Sequence, residues 1–384
     1  MRYDNDLSFN FFSPTKVVFG NGSIGEILSE ANELGIKKAL MITDPVLAKL
    51  DDVFGKVRKA AGPVVAGEFT QCTQDSGVDV VNRAYTAARE LGADGVISVG
   101  GGSVIDTAKG VSLLMAEGGA LMDHVGFQNM TRPAAPHIVV PTTAGTGSEV
   151  TYVAVIKDHK AHKKLLFADY KLIPRVAILD PKLTIGLPAG LTAATGMDAI
   201  SHAIESMHSL QSEYFSDGLA LHALRLLKEA IPVCVKDPGN LQARGAQLVA
   251  ATMAGAAFSN AQVGLVHAMA HTVGAKYGLH HGLLNAIFLP HVIRFNCEET
   301  RPAYVAVAQA FGLSPDGDVC GTLADFLTDF AAGLGLEMHL SKLGVPQEAI
   351  KDLAAATIED GAIVYNGRMV FDPDEIMPVY MAAL

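Results

Sequence analysis

Between residue 17 and about residue 180 the chain alternates short β-branched or apolar runs with helix-forming stretches, and after about Pro188 only helical segments follow. That switch excludes most architectures. The runs are KVVFG, KKALMIT, GVISVG, HIVVPTT and VAILD. Between the first three lie GEILSEANELG and VDVVNRAYTAARELG, whose apolar residues recur at three and four. Strands separated by helix-length connections build a parallel sheet with crossover helices, an architecture suited to nucleotides. The later part is carried by LALHALRLLKEAIP, GAQLVAATMAGAAF, VAVAQAFG and LADFLTDFAAGLG, with Gly or Pro at many of their ends. The expected fold is an α/β N-terminal dinucleotide-binding domain over 1–185 and an all-α C-terminal helical domain over 186–384, divided within DPKLTIGLPAG. A chain of 384 residues is long enough for two such cores.

Composition narrows the partners. Hydrophobic residues make up 49% and charged ones 18%, which excludes disorder. The net charge is −11 and no run of Lys and Arg exceeds two residues, so nucleic acid is not an expected partner. Asp4 and Asp6 interrupt the N-terminus where a secretion signal needs an apolar core. The apolar stretch from Ala246 contains Gln247, Ser259, Asn260 and Gln262, and reads as a buried helix pair and not a membrane span. Cys72, Cys234, Cys297 and Cys320 show no CxxC spacing, which fits unpaired thiols in a reducing compartment, the cytoplasm by default.

Two glycine-rich stretches compete for an anion. Gly20-Asn21-Gly22-Ser23-Ile24-Gly25 matches G-x-G-x-x-G after a short strand, with Asp44 downstream; the same residues also suit an ordinary strand-to-helix turn. Gly100-Gly101-Gly102-Ser103 follows the more apolar strand GVISV and opens the helix VIDTAKGVSLL. Three successive glycines remove every Cβ from one side of the turn, so a pyrophosphate could approach backbone amides at a helix N-terminus. The loop Pro141-Thr142-Thr143-Ala144-Gly145-Thr146-Gly147-Ser148-Glu149 is either a cofactor wrap rich in donors or a polar connection. Asp44, at the end of its strand, suits both an acceptor for ribose hydroxyls, favouring NAD over NADP, and a helix cap ahead of Pro45.

A second group of residues points to a metal. In GMDAISHAIE, Asp198 and His202 stand four apart and share one helix face; His267 and His271 repeat the spacing, and His280-His281 precede Gly282. One carboxylate among several imidazoles suits a borderline dication such as Zn or Fe(II). The alternative is histidines that fall at helical spacing in a core or on a surface. The Ala-, Met- and Gly-rich surroundings make unpaired polar groups costly there.

Taken together, GGGSVID, PTTAGTGSE, GMDAISHAIE, VHAMAH and HHGLLNAIFLPHV resemble the iron-containing (group III) alcohol dehydrogenase family, in particular its lactaldehyde reductase- and propanediol dehydrogenase-like members, over nearly the whole chain. The resemblance implies a dehydroquinate synthase-like architecture with a metal in the cleft between an NAD(P)-binding domain and a helical domain. It implies reversible hydride transfer between a small primary alcohol and NAD, with NADP the lesser alternative. As ligands of Fe(II), or of Zn in its place, it implies Asp198, His202, His267 and His281, the last because the family histidine directly precedes glycine. His271 becomes a neighbour of the nicotinamide, either a proton relay or a structural histidine. The pyrophosphate falls on Gly100, Gly101, Gly102 and Ser103 with Asp106 behind them, the nicotinamide near Thr142, Thr143 and Thr146, and the ribose near Asp44. Lys164 corresponds to a basic residue that reaches the cofactor, and Gly20–Gly25 is reduced to a turn. The implied partners are a small alcohol or aldehyde and a second copy of the chain, a homodimer or higher homo-oligomer, with no nucleic acid and no membrane.

Two departures concern substrate and adenosine contacts. Gln71-Cys72-Thr73 stands where the family usually has Asn-Pro-Thr, and Asn366-Gly367-Arg368 where Asn-Pro-Arg is common, a change expected to loosen the backbone. Phe258 and Val153 correspond to positions lining the family substrate pocket and equally suit a core. A lyase of the same architecture would need a basic pocket, and the metal-region motifs offer few Lys or Arg.

Overall fold

The computed structural model describes residues 3, 6–161 and 163–384. The chain divides into two compact units, Ser13–Gly186 and Leu187–Leu384, the latter joined by the segment that ends at Phe12.

Among its described residues the Ser13–Gly186 unit has nine strands: β1 (Lys16–Phe19), β2 (Ala39–Ile42), β3 (Val65–Phe69), β4 (Gly95–Gly100), β5 (Gly126–Phe127), β6 (His137–Pro141), β7 (Val153–Asp158), β8 (Lys163–Ala168) and β9 (Val176–Leu179). Four helices connect them: α1 (Ile27–Glu33), α2 (Lys56–Ala61), α3 (Val78–Leu91) and α4 (Gly102–Glu117). Six strands form one parallel sheet in the order β1-β9-β6-β4-β2-β3. Successive residues of a strand face opposite sides, so β2 sends Leu40 and Ile42 into a core shared with α3 and α4, and Ala39 and Met41 into one shared with α1 and α2. Burial on both faces is why KKALMIT and GVISVG read as unbroken apolar runs. From β2 the chain steps outward to β3 and then returns to β4 on the other side. The crevice at the carboxyl ends of β2 and β4 is therefore the switch point at which such sheets bind ligands.

Sequence reasoning missed β3, whose residues alternate in exposure with Gly67 and Glu68 among them, and the small sheet β5-β8-β7. In that sheet β7 and β8 form an antiparallel ribbon in register from Val153 opposite Ala168 to Asp158 opposite Lys163. Its charged residues hide the strand signal.

His137 begins β6 and is 2% exposed, its Nε2 2.7 Å from Ser98 Oγ. Burial, with Lys109 adding to it, lowers its pKa to about 3. Because the folded pKa lies below the unfolded one, its contribution is complete above pH 6.5 and is lost as pH falls toward 3. We expect His137 alone to remove about 3 kcal/mol of stability between pH 6.5 and 4. Urea titrations of wild type and His137→Gln check this: the variant should show a visibly shallower decline over that window.

The Leu187–Leu384 unit is helical: α5 (Ala189–His208), α6 (Tyr214–Lys236), α7 (Leu241–Ala261), α8 (Leu265–Tyr277), α9 (His281–Phe295), α10 (Cys297–Ala310), α11 (Val319–Gly333), α12 (Ile350–Ile358) and α13 (Pro373–Ala382). Helix α5 is buried continuously from Thr192 to His208 and packs on α6, α7, α9 and α10. Among the described residues no single helix is long and apolar enough to cross a membrane; α7 and α8 pass that test only as a pair bent by 104°, and most of their residues are buried.

Three sequence expectations are corrected. The first described residues belong with the helices and not with the sheet: Tyr3 Oη donates to Asp217 (2.6 Å), Phe11 stacks on Phe215, and the Phe12 amide donates to Asn260 Oδ1 (2.7 Å). Asp4 falls outside the described residues. Cys297 and Cys320 are not unpaired thiols but a disulfide joining α10 to α11, with Cα atoms 6.0 Å apart. Their separation of 23 residues carries no motif, and only the packing of the two helices brings them together. Cys72 and Cys234 are buried free thiols, and burial raises their pKa values to about 12 and about 11. Finally, Gly367 does not loosen its segment. A Cβ there would lie 2.3 Å from both the His208 carbonyl oxygen and Thr300 Cγ2, so the segment is close-packed where only glycine fits.

Candidate metal centre and nucleotide site

The metal candidates converge through one helix contact. On α5, Asp198 and His202 face the same side, and α9 crosses α5 so closely that a Cβ on Gly282 would sit 2.3 Å from the Ala194 carbonyl oxygen and 3.2 Å from Asp198 Cβ. That approach brings His281 to α5. Asp198 Oδ1 lies 3.9 Å from His202 Nε2, 3.9 Å from His267 Nε2 and 3.7 Å from His281 Nε2. Two ligands at about 2.1 Å from one tetrahedral ion would stand roughly 3.4 Å apart, so the spacing fits a dication. Asp198, His267 and His281 offer ligand atoms mutually within 4.8 Å. His202 lies outside that mutual group but lies alongside it, its ring stacked on His267 (4.6 Å) and on Phe258 (4.2 Å). His280, the residue preceding α9, is not in the group.

His271 stands next to these residues. Its ring stacks on His281 at 5.3 Å, and its Nδ1 lies 3.0 Å from Asp360 Oδ2. Burial alone would raise the Asp360 pKa, but His271 and the Ala362 amide hold it below the usual carboxylate range.

Two residues that sequence reasoning passed over complete the cluster. Glu205, fully buried on α5, binds His267 Nδ1 through Oε2. Burial opposes charge on both partners, yet their attraction prevails: Glu205 is lowered and His267 raised. Asn285, also fully buried, donates from Nδ2 to Asp198 Oδ1 at 2.7 Å, with His281 Nε2 and His267 Nε2 at 3.1 and 3.2 Å. Its Oδ1 has no hydrogen-bond partner among the described residues, an orphaned buried acceptor next to the candidate ligands. Helical spacing carried both signals, Glu205 seven residues after Asp198 and Asn285 four after His281.

The nucleotide candidates lie in the other unit, around the β2/β4 crevice. Gly101 precedes α4, whose first turn presents the amides of Gly102 and Ser103. A Cβ on Gly102 would stand 2.8 Å from Thr146 Cγ2, and one on Gly101 3.1 Å from Thr143 Oγ1, so the glycine turn lies flush against the threonine loop. Thr142 ties the two together through its amide to the Gly100 carbonyl (3.1 Å). Asp106 accepts from Ser148 Oγ (2.7 Å) and the Val155 amide (2.9 Å), anchoring α4 to the loop from behind. Lys109, buried one turn further, donates to Ser148 Oγ, Thr151 Oγ1 and the Val153 carbonyl at 2.9, 2.9 and 2.6 Å, and burial lowers its pKa to about 8. Lys164 on β8 pairs with Asp75 Oδ1 at 3.5 Å, and the Asp75 amide donates to Ser103 Oγ, which connects that lysine to the glycine turn.

Asp44 Oδ1 accepts from the Val46 and Leu47 amides (2.8 and 2.9 Å), so it caps the turn after β2. Gln71 accepts from Arg83 at 2.7 Å. In the Gly20–Gly25 turn the carboxylate of Asp180 lies against the amides of Gly22 (3.0 Å) and Ile24 (3.5 Å). An internal anion is already in place there.

Profiles of known families match both units: "Iron-containing alcohol dehydrogenase" over residues 14–181 and "Fe-containing alcohol dehydrogenase family, C-terminal" over 192–384. The chain is 35% identical to an NAD-dependent methanol dehydrogenase of Bacillus methanolicus over 367 residues, 94% of this chain and 96% of that one. It is 34% identical to a 1,3-propanediol dehydrogenase of Citrobacter freundii over 369 residues, 94% and 95% of the two chains. Among solved structures, a 1,3-propanediol oxidoreductase superposes with a TM-score of 0.95 at 32% identity, covering 98% of this chain and all of the other.

Proposed function

The chain belongs to the iron-containing alcohol dehydrogenase family and is an NAD-dependent alcohol dehydrogenase, and from that premise we propose that Asp198, His202, His267 and His281 hold its catalytic dication. The observation that carries the assignment is the single carboxylate oxygen of Asp198 within 3.9 Å of three imidazole Nε2 atoms. A dication held there would supply Lewis-acid chemistry, drawing the pKa of an alcohol down toward neutrality and polarising the aldehyde in the reverse direction. Neutral imidazoles and one carboxylate suit Fe(II), our proposal for the native ion, and bind Zn more tightly by the usual affinity order, so Zn would replace iron in its absence.

The protein's own groups do the rest. The amides at the start of α4 and the hydroxyl of Ser103 would receive the pyrophosphate, and Lys164 would neutralise part of its charge. Asp106 and Lys109 hold the threonine loop for the nicotinamide, with Thr142, Thr143 and Thr146 as its neighbours. Asp44 Oδ1 caps the turn after β2, and a carboxylate at the end of that strand would repel a 2'-phosphate on an adenosine bound there, which supports NAD over NADP. His271, paired with Asp360, passes the alcohol proton outward.

The substrate class we infer is a small primary alcohol and its aldehyde. The similar enzymes are named for methanol and 1,3-propanediol, both primary alcohols. Self-association, as a dimer, is supported by the edge strand β1, which among the described residues pairs on one side only and exposes Val17 and Phe19. The cytoplasm is the proposed location, a reading that now rests on the buried free thiols of Cys72 and Cys234 and no longer on Cys297 and Cys320.

The test is NADH oxidation on a panel of small aldehydes by metal-stripped protein with Fe(II), Zn or nothing restored. Restoration by Fe(II), weaker restoration by Zn and a preference for NADH over NADPH are expected. Full activity in the stripped protein would overturn the metal assignment.

A further inference from the structure

We propose that Glu205 is a positioning residue of the metal centre, fixing the His267 ring with Nε2 toward the site and pinning the turn of backbone that carries it. The inference rests on the ligand assignment above and adds to it the device that sets the geometry of one ligand.

Glu205 divides its two oxygens between two tasks. Oε1 accepts from the amides of Gly264 (2.9 Å), Val266 (2.9 Å) and His267 (3.4 Å), the groups left without intrahelical partners at the start of α8. The remaining one, Leu265, donates to Asn366 Oδ1 at 3.3 Å. A carboxylate from α5 and a carboxamide from residue 366 thus complete the helix start, and capping needs nothing more. Oε2 is therefore left for the imidazole, and it binds His267 Nδ1.

That bond decides the tautomer. Glu205 accepts several N–H groups and has no proton to give, so in the neutral imidazole that a dication requires, the hydrogen sits on Nδ1 and the lone pair on Nε2. Nε2 is the atom 3.9 Å from Asp198 Oδ1. Histidine ligands generally depend on such a partner for orientation, and losing it costs 10- to 100-fold in metal affinity. Glu205 touches no reacting atom, so its effect passes entirely through His267.

In Glu205→Gln one oxygen becomes an NH2 group, which can meet the ring only where Nδ1 is an acceptor. The proton then moves to Nε2, the ligand atom. We expect chelator competition to give a Zn affinity about 10- to 100-fold below wild type. Asn366→Ala removes the neighbouring cap but leaves the ring contact, and its Zn affinity should stay within about 3-fold of wild type if ring orientation is what matters. Equal losses in both variants would mean that Glu205 is only a helix cap and would overturn the proposal. So would unchanged affinity in Glu205→Gln. A wild type that binds no dication would instead sink the metal assignment itself. Should Glu205→Gln not fold, nitrogen-15 spectra of Zn-loaded wild type decide: a protonated, slowly exchanging His267 Nδ1 supports the assignment, and an Nδ1-coordinated His267 refutes it.

Discussion

The His267→Ala variant is expected to lose its dication and at least about 10³-fold in kcat/KM for aldehyde reduction, since Lewis-acid activation of the substrate oxygen is worth several kcal/mol. The His267 ring is bound by Glu205, stacked on His202 and set edge-on to His281. Alanine leaves Glu205 and Asp198, both almost fully buried, with one imidazole fewer between them. Metal content by elemental analysis should fall below one-tenth of an equivalent after dialysis. Binding of NADH, followed by its fluorescence, should stay within about 2-fold, because the proposed nucleotide residues lie in the other unit. A variant that retains both its metal and its rate would remove His267 from the ligand set.

Gly282→Ala should be nearly as damaging, through geometry. The new methyl carbon would stand 2.3 Å from the Ala194 carbonyl oxygen and 2.9 Å from its carbon, both backbone atoms in a fully buried stretch. Neither can rotate away, so α9 has to withdraw from α5. We expect a cost of about 3 kcal/mol, read as a fall in melting temperature of roughly 6–12 °C. Withdrawal also carries His281, the adjacent residue, away from its position 3.7 Å from Asp198 Oδ1, and Zn affinity should fall with it. Gly218→Ala is the control, since a Cβ there meets nothing within 4 Å and the helix interior of α6 gains from alanine. Melting temperatures that fall equally in both would mean that the α5/α9 contact is not as close as described.

The motifs in the sequence owe their legibility to local geometry. Four-residue spacing places two side chains on one helix face whatever the rest of the chain does, so Asp198 with His202 and His267 with His271 could be paired from the sequence. Gly100–Ser103 was readable because a strand leading into a helix through glycines dictates its own turn. The choice between His280 and His281 was different. Spacing left it open and family resemblance favoured the second, whereas in the fold the close passage of α9 over Ala194 brings His281 to Asp198.

What the sequence by itself determined, then, was whatever depends on neighbours a few residues away: the alternation that makes the sheet, the helix faces, the glycine turn and the candidate ligands. Tertiary structure alone decided which of these groups meet. It placed Asp180 on the amides of the first glycine motif and made Glu205 the partner of His267, 62 residues on. It joined Cys297 to Cys320, moved the N-terminal aromatic residues onto α6 and left no room for a side chain at Gly367. The physical reason is the same in each case. Contacts between distant segments are set by how whole elements pack, and packing depends on volumes and close approaches that no local spacing encodes.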